Sequence, residues 1–456
     1  MGRSVRREFA YQTVYRYLET LISHACEGGD PRLPSLRDLA RRLRVSLATV
    51  QYAYSLLERE GRVHSVPKSG YFALVPVDGR ASAPRAIARS GQCAPFILPP
   101  LPCGALEPLL LAHERRLARQ SATTQSGNAL LRSALAARHT RSSRQFWRAE
   151  DVHLATDVQA LLQTLLLALD LQGGTVLVAT PCCWQQLQVL QQLGMRVIEW
   201  PLDNQGGLDL GTLAQLFKRE TVRLLLMPSC LATPPGRLMS LEEQREVARL
   251  LAGYPTWLLE NDLDSEQCFA APPATRLRDW VDPHWLLVMG SLEGMIGAEA
   301  PYAYVLSRHP AVCEAFVRRS FLLPPRRQQA VACLLTRGDV DSHLQQMRDR
   351  LELRMAILCH AVEQHLGSLL AFSVPEGGRV LWCRLDLAVD VRQLLEASST
   401  PALLAAPGNL FSLQESYDRH LLLAWQGDDA GELEDALGEL GQRLQCLRAN
   451  AKDRSD

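Results

Sequence analysis

Lysine is almost missing from this chain of 456 residues. Only Lys68, Lys218 and Lys452 occur, while arginine is abundant. The simplest reading of the bias is a GC-rich genome, and its chemical consequence is narrow: any reaction that needs a lysine amine has these candidates alone. Paired-cysteine motifs are missing too. The 12 cysteines are scattered without a CxxC pair, and no Cys/His spacing is of the zinc type. That usage points to a reduced compartment rather than a disulfide framework. No run approaches the roughly 18 apolar residues that a membrane span needs. The opening MGRSVRREFAYQ has no apolar core of signal-peptide length. These absences predict a cytoplasmic protein. Net charge is zero and 47% of residues are hydrophobic, which excludes general disorder and allows a sizeable core. The length predicts two or three domains.

The charge is unevenly spread. The first 75 residues carry more Arg than acidic residues, the pattern of a segment that meets a polyanion. Within it, Val14, Tyr17, Leu18, Leu21 and Ile22 share a helical face in YQTVYRYLETLISHA, and Gly-Gly-Asp-Pro at 28–31 ends that helix. Ser35 is a good N-cap for a second helix, LRDLARRL, with Asp38 as its capping-box partner. Ser46 opens a third helix that ends at Gly61. RVHSV (62–66) and YFALV (71–75) then alternate as two short strands around the turn Pro67-Lys68-Ser69-Gly70.

Three helices and a hairpin make a winged helix-turn-helix. The third helix is short enough to lie in a major groove, with Ser46 to Tyr52 toward base edges and phosphates. Lys68 and the backbone N–H groups of Ser69 and Gly70 would reach a neighbouring groove or phosphate. Ser35 and Ser46 are caps first, with phosphate contact as a second role. The competing reading is a three-helix module for protein contact with solvated arginines.

LPSLRDLARRLRVSLATVQYAYSLLEREGRVHSVPKSGYFAL resembles the GntR family of bacterial regulators. It follows the family's LPS-x-R-x-LA, its VS-x-x-TV-x-x-AY-x-x-L-x-x-EG and its wing ending S-G-[TY]-F. The resemblance implies DNA contacts from Arg37, Thr49 and Gln51, and double-stranded operator DNA as the partner. One position departs: the family usually has Arg after the helix-three Ser, and here it is Leu47. An Arg–guanine pair is worth about 1–3 kcal/mol of discrimination. Its loss either changes the operator or shifts readout to Arg37, Arg44 and the wing.

Residues 76–103 are rich in Pro, Ala, Gly and Arg with no sustained period, the composition of a linker. From 104 onward, apolar strands alternate with amphipathic helices. The strands are VHLAT (152–156), TVLVAT (175–180), MRVIEWP (195–201), VRLLLMPS (222–229), TWLLEND (256–262), HWLLVMGS (284–291) and one near 302–306. That order implies a mostly parallel sheet covered by helices. Long helical runs follow through about Leu369, then a mixed tail whose final helix is AGELEDALGELGQRLQCLRA. The predicted division is 1–75, linker 76–103, 104–447 and a tail 448–456.

The order of these elements, with ATPCCWQQL, PSCLATPPGRLMS, ENDLDSE and MGSLEGMIG, resembles the fold-type I aminotransferase domain. It stands behind a GntR module, as in the MocR subfamily. The fold class is therefore multidomain: a winged helix-turn-helix (α+β) joined to an α/β aminotransferase-like domain. The resemblance implies pyridoxal phosphate as cofactor, but the positions that would hold it depart. The Asn for the phenolic oxygen is Thr233. The Asp for the pyridine nitrogen is Asn261 and the Tyr is Leu263. The Schiff-base lysine is Gly294, and the Arg shortly after it is Pro301. The Arg for a substrate carboxylate aligns with Leu422, and the stacking aromatic is replaced near Cys183, beside Trp184. A Schiff base requires an amine, and a neutral Asn261 cannot keep a pyridine nitrogen protonated. The expectation is a homodimeric, sequence-specific transcription regulator, not an enzyme. Its large domain, with a degenerate pyridoxal-phosphate site and no covalent attachment, serves dimerisation or the sensing of a small-molecule effector. The alternatives are a regulator holding the cofactor non-covalently, an aminotransferase-related enzyme, or a scaffold whose large domain meets a protein partner.

Three further features are weighed against simpler readings. Cys182-Cys183 could be a thiol sensor if exposed, and otherwise is a pair of small semi-buried residues. His360 and His365 are off the register of a helical metal pair, so no metal is expected. Arg326 and Arg327 in PPRRQQ read as a solvated loop ahead of a second anion contact.

Overall fold

The computed structural model describes residues 33–43, 45–59, 63–66, 70–73, 106–119, 127–202, 207–386, 402–414 and 416–452, with the single positions 14, 15, 17, 18, 21, 391 and 394. The chain divides into two compact units, Met1–Cys93 and Ala94–Asp456. The expected linker 76–103, Arg44, and the wing-tip residues Lys68 and Ser69 lie outside the described residues.

The first unit packs as its periodicity predicts. Val14 and Leu18 of the first helix are buried with Leu39 of the Leu36–Leu43 helix and with Val50, Ala53, Tyr54 and Leu57 of the Leu47–Arg59 helix. The last four fall at the i, i+3, i+4, i+7 spacing of one face. Strands β1 (Val63–Val66) and β2 (Gly70–Ala73) pair antiparallel, with Val66 opposite Gly70. The hairpin is tied back to the core: Leu33 N–H donates to Tyr71 C=O at 2.8 Å, and Tyr54 stacks on Tyr71 with ring centroids 4.3 Å apart. The Tyr54 hydroxyl donates to Pro34 C=O at 2.6 Å, and burial pushes its pKa up.

The second unit is built on a seven-stranded sheet. Its strands are β3 (Val152–Ala155), β4 (Thr175–Thr180), β5 (Arg196–Pro201), β6 (Val222–Pro228), β9 (Trp257–Asn261), β10 (Leu286–Ser291) and β11 (Ala303–Leu306). Between β6 and β9 lies a small hairpin of two-residue strands, β7 (Leu231–Ala232) with β8 (Arg237–Leu238). The sheet order is β3-β11-β10-β9-β6-β4-β5, and β11 alone runs against the rest. Leu224 to Met227 are all buried. Such unbroken apolar runs are what a sheet covered on both faces requires, because neither side chain parity meets water. One cluster unites the sheet with the helices Leu106–Arg119, Gly127–Arg141 and Pro325–Arg337. The other unites it with Val158–Ala168, Trp184–Gln192 and Pro310–Arg319.

The 28-residue helix Asp339–Leu366 leads into an antiparallel sheet of β12 (Leu370–Phe372), β13 (Leu381–Leu385), β15 (His420–Trp425) and β14 (Leu403–Pro407) in that order. It packs against the Ala430–Lys452 helix. Two sequence expectations change. PPRRQQ is not a loop: Pro325 opens a helix, because proline at the first helical position costs no hydrogen bond. The final helix, read as ending at 449, continues to Lys452.

Candidate functional site

In the first unit the two caps form as sequence reasoning expects. Ser35 Oγ accepts Asp38 N–H at 3.2 Å and donates to the Asp38 carboxylate at 2.5 Å. Ser46 Oγ accepts Thr49 N–H at 3.1 Å and lies 2.8 Å from Thr49 Oγ1. Away from the buried face, Ala48, Gln51 and Tyr52 are exposed; Ser46 and Leu47 are exposed at the helix start, and Arg37 is exposed on the preceding helix. Thr49 is half-buried, and Gly70 begins β2.

In the second unit the parallel strands end on one edge, where α/β sheets bind ligands. Ala155 of β3 and Ser291 of β10 both pair with Ala303, and Asn261 closes β9 between Pro228 and Met289. Beyond this edge lie Thr233, Leu263, Gly294 and the Cys182-Cys183 pair, with Asn261 at the end of β9. The polar ones are already committed. Asn261 Nδ2 donates to Gln186 Oε1 at 3.5 Å while its Oδ1 accepts Leu263 N–H at 3.2 Å. The Thr233 hydroxyl donates to Asp264 at 2.7 Å. Gly294 sits in the one-turn helix Glu293–Ile296, without a positive φ. A Cβ there would approach the Leu263 carbonyl oxygen at 3.3 Å, so a side chain is admitted with a small shift.

Asp157 was missed by sequence reasoning, although an Asp directly before a helical run is an N-cap signal. Its carboxylate accepts Ala160 N–H at 2.7 Å and Thr156 Oγ at 2.8 Å, filling the start of the Val158–Ala168 helix with negative charge. Cys182 is buried, its N–H held by Phe411 C=O at 2.9 Å. Burial pushes the thiols of Cys182 and Cys183 above their ordinary range, so the pair lacks the low pKa of a sensor. Leu422 is buried in β15. Arg327 is bound by Glu114 and, at 2.9 Å, by Glu299, whereas Arg326 is exposed. No group of three His, Cys, Asp or Glu residues could hold a metal among the described residues.

Behind this edge lies a buried ionic network with no counterpart in the sequence reading. Arg278 is 2.9 Å from Glu260, 2.6 Å from Asp262 and 2.8 Å from Ser229 Oγ. Arg276 meets both Asp262 oxygens, at 2.7 and 3.0 Å. Burial alone would raise the Asp262 pKa, but Arg276 and Arg278 outweigh it and hold the carboxylate below its usual range. Burial, with Arg278 adding to it, pushes His139 down to about 3, so its ring is neutral. His139 Nδ1 therefore accepts from Arg278 at 3.0 Å, and Nε2–H is left to donate to the Tyr304 hydroxyl at 3.0 Å. Gly290 faces Tyr304 across the strand pair, and a Cβ there would collide with the Tyr304 ring. Arg138, Ser291 and Met295 line a cavity of about 10 Å³ beside the network, room for about one water.

Residues 109–412 match aminotransferase class I and II. Residues 10–72 match the gntR family of bacterial regulatory proteins. The HTH-type transcriptional regulator YjiR of Escherichia coli is 24% identical over 470 residues, 95% of this chain and 99% of its own. The probable rhizopine catabolism regulatory protein MocR of Rhizobium meliloti is 23% identical over 96% of this chain and 94% of its own. Among solved structures, LysN is similar, an α-aminoadipate aminotransferase of Thermus thermophilus complexed with N-(5'-phosphopyridoxyl)-L-leucine. It superposes with a TM-score of 0.66 at 20% identity, over 77% of this chain and 91% of that one. At that identity the likeness carries the fold.

Proposed function

The chain belongs to the aminotransferase class I and II family and, with its gntR-family N-terminal unit, is a transcription regulator of the MocR type; we propose that it binds a two-half-site DNA operator as a homodimer. Ser35, Arg37, Ser46, Thr49, Gln51 and Tyr52, with Lys68, Ser69 and Gly70 of the wing, meet the DNA. The observation that carries this reading is the exposed face of the Leu47–Arg59 helix, which presents Gln51 and Tyr52 opposite a fully packed core face. Two-fold symmetry of the protein would be mirrored in the operator. The working division is residues 1–75 for DNA, 76–103 as linker, 104–447 for dimerisation and effector sensing, and 448–456 as tail. No helix among the described residues is long and apolar enough to cross a membrane, and we place the protein in the cytoplasm.

The aminotransferase-like domain does not work as an enzyme in this proposal. Its donors do not fit pyridoxal phosphate. Gly294 supplies no amine, Asn261 is neutral and already bonded to Gln186 and Leu263, and Thr233 is turned to Asp264. Asp157 sets a carboxylate on the helix start that an anion would use. A pyridoxal-phosphate enzyme needs an amine where Gly294 stands.

The experiment is a titration of the full chain against duplexes from its own upstream region. It is run at two salt concentrations, with and without pyridoxal phosphate. Specific, salt-sensitive binding that ignores pyridoxal phosphate is the expected result. Binding that requires it overturns the loss of the cofactor site, and equal binding to scrambled duplexes overturns the regulator reading.

A further inference from the structure

Leu47 is 46% exposed although it is a large aliphatic side chain with its helix's core face available nearby. Val50, Ala53, Tyr54 and Leu57 turn one face of the helix inward; Leu47 is the first residue of the helix, at the rim of that face, and the exposed Gln51 lies about 40° from it along the same edge, one turn on. The surroundings suit nucleic acid. Residues 1–75 hold 12 Arg and Lys against 7 Asp and Glu, and Arg37, Arg41 and Arg42 are exposed on the preceding helix.

The chemistry of this face is selective. The hydroxyls of Ser46 and Thr49 are engaged with each other in the cap. No Arg or Lys occurs from Ser46 to Glu58, so the first turns lack the donor fork that reads guanine O6 and N7. What projects is an aliphatic side chain and, one turn on, the amide of Gln51. In the major groove, apolar groups pack on the thymine C5-methyl and an amide pairs with adenine N6 and N7. We infer that this helix reads A·T pairs, with Leu47 seated on a thymine methyl and Gln51 on an adenine. The inference rests on the DNA-binding reading above and deepens it by naming the base class.

The test is selection of bound duplexes from a random library by the full-length wild type, Leu47→Ala and Leu47→Arg. The selected site is then remade with deoxyuridine in place of each thymidine in turn. Wild type should select half-sites with A·T pairs at the core positions. At one thymine per half-site, removing the methyl should weaken wild-type binding about fourfold, the effect of burying roughly one methyl group. The same removal should leave Leu47→Ala unchanged, and Leu47→Arg should shift that position toward guanine. A strong wild-type site whose core positions are G·C, or one where no methyl removal couples to Leu47, overturns the inference and leaves the regulator reading standing. If wild type enriches no sequence at all, both fall together.

Discussion

Arg278 and Asp262 lie 2.6 Å apart with side chains 0% and 4% exposed, and the same guanidinium also holds Glu260 at 2.9 Å. Two carboxylates and two guanidinium groups thus neutralise one another beneath the strand ends. Removing one cation from such a set leaves a buried charge unmatched, which costs about 3–5 kcal/mol, whereas apolar replacement of both partners is far milder. Arg278→Met should therefore lower the stability of the second unit by about 3–5 kcal/mol. Adding Glu260→Leu should restore more than half of that loss. Urea unfolding of the three proteins measures both, and a double variant no better than the single one would count against the pairing.

His139 makes the network sensitive to acid. Its pKa is about 3 in the fold and about 6.5 in an unfolded chain. Between those values the unfolded chain binds a proton that the folded one refuses. This contribution to stability is whole above pH 6.5 and is lost as pH falls toward 3, with a limiting slope of about 1.4 kcal/mol per pH unit. His139→Asn should flatten that slope between pH 6 and 4.5, at some cost in stability at neutral pH. Urea midpoints across that range give the answer; parallel profiles for variant and wild type would remove His139 as the cause.

Gly294 and Asp157 make separable predictions about the lost cofactor site. Since a Cβ at Gly294 has only the Leu263 carbonyl oxygen within reach at 3.3 Å, Gly294→Lys should fold. It should still give no saturable, borohydride-reducible adduct with pyridoxal phosphate, because Asp157 holds negative charge at the helix start. Adding Asp157→Ser should tighten binding by about tenfold, as expected when a carboxylate gives way to an uncharged cap near an anion. Absorbance titration followed by reduction and mass measurement tests the pair. A stoichiometric adduct in wild type at a wing or tail lysine would show only nonspecific reaction, while one in Gly294→Lys alone would show that Asp157 is no obstacle.

The sequence made the frame legible because the frame is written in short-range patterns. TVLVAT is strand β4 to the residue, and Val50, Ala53, Tyr54 and Leu57 carry their helical spacing openly. The Gly294, Asn261 and Thr233 positions were legible only through a family resemblance, since nothing in their own spacing marks a site. Arg276 and Arg278 were not legible at all. Charged residues near a turn look solvated, but the chain after β9 returns Arg276 and Arg278 to Glu260 and Asp262 at the end of that strand. PPRRQQ misled for a related reason. Two prolines look like a break, yet the second opens a helix whose Arg327 pairs with Glu114, far away in sequence.

Ser46 separates stability from DNA binding. It caps the Leu47–Arg59 helix through Thr49 N–H at 3.1 Å and is exposed on the face assigned to DNA. Ser46→Ala removes the cap and should cost about 1 kcal/mol of first-unit stability. Ser46→Asp keeps a capping oxygen, and its charge agrees with the helix dipole, so stability should hold or rise slightly. The same negative charge would face phosphates, so operator affinity should fall by more than about tenfold, with a shallower dependence on salt. Thermal unfolding and a DNA titration on the same two variants read the two effects apart. If Ser46→Asp is as stable as wild type and binds DNA equally well, this face of the helix does not meet the duplex. The assignment of Arg37, Thr49, Gln51 and Tyr52 as DNA contacts would fall with it.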